Sequence, residues 1–165
     1  MNTYRGNGSR AKEQYRFPSV LHESKANVRG QAPNRALKRL LSSRPVVMMV
    51  DDDAVLTKLF KTFFKDQGLK VEVFTDPAEA LHWYSAHHQR VGLVFLDIQM
   101  PKISGPDCFA NIVVTDPRVK VAYMSGTNDE ALITELMKPR QARAFFEKPV
   151  DYWDLINWSY QQLQN

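Results

Sequence analysis

Four places in this chain put a group suited to phosphate chemistry just beyond a short apolar run. Asp51, Asp52 and Asp53 follow VVMMV, Asp97 follows LVFL, Ser125 follows AYM, and Lys148 stands two residues past AFF. Carboxylates gathered at one place repel one another, by roughly 4 kcal/mol per pair at about 4 Å and an effective dielectric near 20. A hard dication relieves that repulsion. Mg2+ suits a site of a few carboxylates that keeps positions open for water and a phosphoryl oxygen. The hydroxyl of Ser125 and the ammonium of Lys148 suit the other oxygens of a phosphoryl group. An aspartate between a metal and a lysine is placed to attack phosphorus, so Asp97 in this company points to phosphoryl transfer through an aspartyl phosphate. On its own, Asp97 reads equally well as a strand-ending residue that caps a turn. The elements that carry these groups decide between the two.

The run Leu93 to Leu96 is apolar without alternation, which suits a strand buried on both faces, as in a parallel sheet. Pro101 cannot donate to a ladder, so the strand ends near Asp97. The same pattern recurs along the chain. Strands are predicted at 46–50, 70–74, 92–97, 119–124 and 142–146. Between them, Ala54 to Gly68 carries Val55, Leu56, Leu59, Phe60, Phe63 and Phe64 on a wide helical stripe. Asp76-Pro77 starts a second helix, with Asp as cap and Pro in the first turn. Further helices are predicted over 106–114 and 129–137, and a last one is capped by Asp151. Strand and helix alternate five times with short connections, which calls for an α/β fold: a five-stranded parallel sheet with helices on both faces. In such a sheet the carboxyl ends of all strands share one edge, where open α/β folds place their chemistry. That edge collects the three acids, Asp97, Ser125 and Lys148.

The net charge of +4 conceals two unlike parts. Residues 1–44 hold ten Lys/Arg and two acids, and residues 45–165 hold twelve basic and sixteen acidic residues. We read 1–44 as a basic, mostly disordered N-terminal extension and 45–165 as one globular domain. Within the extension, residues 34–41 have a possible cap and three leucines at helical spacing, enough for a turn or two that docks. The single cysteine, Cys108, leaves no internal disulfide framework. No apolar run reaches the roughly 20 residues that span a bilayer, and no secretory signal opens the chain, so a cytoplasmic protein without membrane contact is expected.

The motifs VVMMVDDD, LVFLDIQMPKISG, AYMSG and FFEKPV resemble, in order and spacing, those of the response-regulator receiver domain of two-component signalling. The resemblance covers about residues 44–163 and implies the (βα)5 flavodoxin-like fold. It makes Asp97 the phosphoacceptor, and Asp52 a direct Mg2+ ligand beside it. Asp51 would act mainly through a water, and the backbone carbonyl of Gln99 would add a ligand. Ser125 and Lys148 would bind the phosphoryl group, with Ser125 and the aromatic position Phe145 forming the switch. Asp53 falls beyond the acidic pair and is read as a helix cap. The implied partners are a histidine kinase or histidine phosphotransfer protein, a downstream protein target and a second copy in a homodimer. A stand-alone regulator without an output domain is expected, signalling through protein contact or phosphorelay, with no enzymatic activity beyond self-phosphorylation and self-dephosphorylation. Three departures stand out: Gly126 where members often have alanine, Phe145 in place of tyrosine, and 138–143, with Pro139, in place of a small-residue segment.

Two rival readings share some of these residues. Asp51-Asp-Asp53-Ala-Val55 also fits the signature of haloacid-dehalogenase-type phosphatases, with Asp51 as nucleophile and Asp53 as general acid. That reading needs room for a flap after the acids, where a helix is predicted, and leaves Asp97-Ile-Gln-Met-Pro without a role. A nucleic-acid-associated regulator would rest on the basic extension, but no reading motif accompanies it. Only non-specific, salt-sensitive attraction is expected there. His82, His87 and His88 are expected as exposed helix residues rather than metal ligands. In the last helix, Tyr152, Leu155, Ile156, Ser159 and Leu163 are predicted to face the sheet. Trp158 then lies on one shoulder of the stripe and Trp153 and Tyr160 on the other, so Trp158 is expected in a partner-contact surface.

Overall fold

A computed structural model describes residues 4–6, 45–127, 130–138 and 142–164. The elements, in order, are β1 (Tyr4–Gly6), β2 (Val46–Val50), α1 (Ala54–Asp66), β3 (Val71–Phe74) and α2 (Pro77–His87). There follow β4 (Val91–Asp97), α3 (Gly105–Thr115), β5 (Lys120–Ser125), α4 (Glu130–Leu136), β6 (Ala144–Glu147) and α5 (Tyr152–Gln164). All pairings are parallel, in the order β1-β6-β5-β4-β2-β3. The five expected strands are present, and β1 adds a sixth at the edge. Tyr4–Gly6 was expected to lie in a mostly disordered extension. A three-residue edge strand leaves no apolar periodicity in a sequence, because its stabilisation comes from backbone pairing with β6. The rest of the extension, including the helix expected at 34–41, lies outside the described residues, as does Pro139.

Strand residues alternate between two cores because successive side chains point to opposite faces. On one face Met48, Val50, Val94, Leu96, Val121, Tyr123 and Phe145 meet α2, α3 and α4 through Ala80, Tyr84, Cys108, Ile112 and Ile133. On the other, Val47, Met49, Leu93, Phe95, Met124 and Phe146 meet α1 and α5 through Phe60, Phe64, Leu155, Ile156 and Trp158. The apolar stripe of α1 is narrower than predicted, since Phe60 and Phe64 are buried while Val55 and Leu59 are exposed.

Helix starts follow from local chemistry. Asp53 caps α1, its Oδ1 accepting from the Val55 and Leu56 amides at 2.8 and 3.0 Å. Asp76 caps α2 in the same way, with Pro77 in its first turn. Gly105, at the start of α3, is required by close approach. A Cβ there would stand 2.2 Å from the Asp97 carbonyl oxygen.

A carboxylate cluster at the carboxyl edge of the sheet

Four strand ends deliver the groups, those of β2, β4, β5 and β6. Asp51 directly follows β2, fully buried, with its backbone N–H donating to the Phe74 carbonyl at 3.1 Å. Its Oδ1 accepts from the Asp53 amide at 3.0 Å. Asp97 is the last residue of β4 and is buried. The loop after it is tied back by the Ile98 N–H donating to Met124 and the Gly105 N–H to Ile98, at 3.1 and 3.0 Å. Ser125 closes β5, fully buried, and its Oγ accepts the Thr127 amide at 3.1 Å. Lys148 follows β6, its amide donating to the Ser125 carbonyl at 2.8 Å and its peptide bond to Pro149 cis.

The Lys148 ammonium joins two of these strand ends. It lies 2.8 Å from Asp51 Oδ2 and 3.1 Å from Asp97 Oδ1. The first is a charge contact outside aligned hydrogen-bond geometry, so the buried Oδ2 of Asp51 keeps an unused acceptor site. Oxygen atoms of Asp51, Asp52 and Asp97 all lie within 4.8 Å of one another, with Asp52 exposed and the other two buried. Hard oxygen donors at this spacing, one of them a buried acceptor without a hydrogen bond, fit a hard dication such as Mg2+. Burial raises the pKa of Asp97, the Asp51 charge adds to the rise, and Lys148 and the Gln99 amide oppose it. For Lys148, burial alone would lower the pKa. The close contact and charge of Asp51, joined by Asp97, outweigh it, and the ammonium holds its proton more tightly than usual.

The structure brings together Asp51, Asp52, Asp97 and Lys148 and sets Ser125 at the neighbouring strand end. Gln99 lies in the turn beyond Asp97, exposed, with its amide toward that carboxylate. Phe145 is buried on β6, paired in register with Tyr123 of β5. Gly126 has open space where a Cβ would go, so sterics do not require glycine there. The ring nitrogens of His87 and His88 contact carbonyls of their own turn, and His82 is exposed. Among the described residues, no histidine joins a metal-binding cluster.

Trp158 is a correction. It was expected on a partner surface, yet it is only 4% exposed. Its indole packs edge-on against Phe95 and Phe146, with ring centroids 5.7 and 5.6 Å away. Helix α5 lies over β4 and β6, so the shoulder of its stripe falls onto aromatic side chains of the sheet rather than solvent. Trp153 is half-buried, edge-on to Phe63 at 5.0 Å.

Sequence reasoning missed Tyr152 as a neighbour of the site. Its hydroxyl is buried without a hydrogen-bond partner, and its pKa is raised by burial and then by Asp51 and Asp53. Nothing in the sequence marks it beyond its place four residues after Lys148.

A parallel α/β sheet with a carboxylate cluster on its carboxyl edge is the arrangement of a receiver-type signalling domain. The chain belongs to the response regulator receiver domain family, whose model matches residues 47–158. It is 29% identical over 136 residues to the chemotaxis protein CheY of Treponema pallidum, covering 82% of this chain and 87% of that protein. It is 28% identical over 117 residues to the phosphoglycerate transport system transcriptional regulatory protein PgtA of Salmonella typhimurium. That match takes in 71% of this chain but only 28% of the Salmonella protein's length. Among solved structures, a chain of the CheX–CheY–BeF3–Mg2+ complex from Borrelia burgdorferi aligns with a TM-score of 0.65 and 28% identity. The alignment covers 71% of this chain and 87% of that one. Among the described residues, no helix is long and apolar enough to cross a membrane.

Proposed function

We propose that Asp97 accepts a phosphoryl group from a histidine kinase or a histidine phosphotransfer protein, and that the phosphorylated domain signals by protein contact or onward transfer. The observation that carries this reading is the Lys148 ammonium shared between Asp51 and Asp97, with Asp52 beside them. One Asp97 oxygen attacks phosphorus. A P–O bond forms as the P–N bond of the donor phosphohistidine breaks, and the imidazole leaves with a proton. Lys148 and the Ser125 hydroxyl bind the transferred oxygens. Asp51, Asp52, Asp97 and the Gln99 carbonyl would hold Mg2+, which when bound offsets the negative charge gathered there. Phosphorylation then shifts the population toward a state in which Ser125 and the loop after β5 move to the phosphoryl group. Phe145 is the aromatic that responds, without a hydroxyl. The downstream partner is a protein target or a second copy, in the cytoplasm. The basic extension contributes at most non-specific attraction to nucleic acid.

The phosphatase reading is disfavoured by Asp53. Its carboxylate is committed to capping α1, which starts at once and leaves no space for a flap. With Mg2+ and acetyl phosphate, label should appear on Asp97 by phosphopeptide mapping, and Asp97→Asn should abolish it. Undiminished label in that variant, or label on Asp51, would overturn the proposal.

A further inference from the structure

The edge of the sheet next to the switch strand is occupied by the chain's own N-terminus. Strand β1 pairs in parallel with β6, with Tyr4 opposite Ala144, Arg5 opposite Phe145 and Gly6 opposite Phe146. Its whole length therefore runs beside the aromatic position of the switch and ends two residues short of Lys148. Because the pairing is parallel, the chain leaves β1 at the same edge of the sheet as Asp51 and Asp97.

Two features make this strand displaceable. It is three residues long, so few backbone hydrogen bonds are set against the ordering of its residues. It is also separated from β2 by thirty-nine residues of sequence, 7–45. The entropic cost of pairing two segments rises only slowly with their separation in sequence, so this separation permits docking without enforcing it. Local openings of such short edge elements cost far less than global unfolding.

We propose that Tyr4–Gly6 is a cis-acting strand whose occupancy of the β6 edge is coupled to the state of Asp97, docked when Asp97 is free and released when it is phosphorylated. The proposal rests on the phosphoacceptor reading above. Its physical link is Lys148, whose ammonium is divided between Asp51 and Asp97 at 2.8 and 3.1 Å. A phosphoryl group on Asp97 draws that ammonium to itself and shifts the end of β6. A three-residue ladder has no length over which to absorb such a shift. By thermodynamic reciprocity, removing the strand must then favour the phosphorylated state. Release also uncovers the peptide groups of β6, a row that edge strands otherwise leave open to pairing.

The test uses amide hydrogen exchange of the full chain in Mg2+, before and after acetyl phosphate, with intact mass reporting the phosphorylated fraction. Before phosphorylation, the amides of Tyr4–Gly6 that face β6 should be protected. Deleting residues 2–6 should speed exchange in Ala144–Glu147. On phosphorylation, exchange at those amides should rise by roughly tenfold or more, and Asp97→Asn should abolish the rise. The deletion should also raise the phosphorylated fraction reached at a given acetyl phosphate concentration, which a strand with a purely structural role would not do. Unprotected amides throughout Tyr4–Gly6 at the outset would overturn the docked strand. Label on Asp97 with unchanged exchange at Tyr4–Gly6 would overturn the coupling alone. Absence of label on Asp97 would overturn the phosphoacceptor reading and the coupling with it.

Discussion

Two lysines meet aspartates at the same edge of the sheet, at nearly the same distances. Lys102, in the loop after β4, lies 2.9 Å from the carboxylate of Asp76 at the start of α2. Lys148 lies 2.8 and 3.1 Å from Asp51 and Asp97. The side chains of Lys102 and Asp76 are 73% and 31% exposed, whereas those of Lys148, Asp51 and Asp97 are 23%, 0% and 6% exposed. The consequences for the carboxyls are opposite. The Lys102 hydrogen bond, with the Ala78 and Glu79 amides, lowers the pKa of Asp76. For Asp97, burial and the neighbouring Asp51 outweigh Lys148, and the pKa rises. Contact distance alone therefore does not rank these pairs. Water screens the first, which serves a helix cap, while the second is a concentrated charge cluster with a cation and an unused acceptor.

Removing Lys148 is the strongest way to break this contrast. Lys148→Met leaves Asp51 and Asp97 facing each other uncompensated. Loss of a charge-assisted contact of roughly 1.5–3 kcal/mol should slow phosphorylation from acetyl phosphate by about ten- to a hundredfold. The metal-free melting temperature should fall, and Mg2+ should raise it more than in the parent chain, because a cation then meets unrelieved repulsion. A Mg2+-dependent rise no larger than the parent's would mean that the cluster is not the metal site.

Gly105→Ala perturbs the same cluster through the backbone. The new Cβ meets the Asp97 carbonyl oxygen, so β4 or α3 must shift, at a cost of about 1–3 kcal/mol by analogy with overpacked cores. Urea unfolding should show this loss, and phosphorylation should slow along with it. A full-rate, fully stable variant would show that the approach of α3 does not fix Asp97.

The opposite pKa shifts are directly measurable. In Mg2+-free buffer, carboxyl carbon chemical shifts should place the midpoint of Asp76 below the ordinary aspartate value of 3.8, and that of Asp97 above it. Asp76, held charged in the folded chain, contributes stability above 3.8 that is lost as pH falls through its lowered value. Asp97, which binds its proton more tightly when folded, contributes below 3.8 and loses that contribution as pH rises through its raised value. Shifts of the same sign would end the contrast.

The smallest effect belongs to Lys102, which has a left-handed backbone at φ 67. Lys102→Ala removes the exposed pair and should leave the melting temperature within experimental error, whereas Lys102→Gly should raise it slightly by relieving the backbone. A clear loss in both variants would mean that the exposed pair carries real stability.

Much of this was legible in the sequence, because it depended on local pattern. Unbroken apolar runs placed the five core strands and hence the edge on which Asp51, Asp97, Ser125 and Lys148 stand. Asp53 and Asp76 read as caps because a short carboxylate beyond a strand finds the free amides of the next helix. Tertiary structure alone decided which flank of a helix is covered and which groups meet across the edge. Trp158 is buried because Phe95 and Phe146 lie beneath α5, whereas Val55 and Leu59 are exposed because α1 turns Phe60 and Phe64 to the sheet instead. The periodicity of a helix fixes the spacing of its apolar positions but not its rotation about its own axis, which depends on the surface it packs against. The division of Lys148 between two carboxylates and the pairing of Tyr4–Gly6 with β6 are contacts between residues far apart in the chain, and no local pattern encodes them.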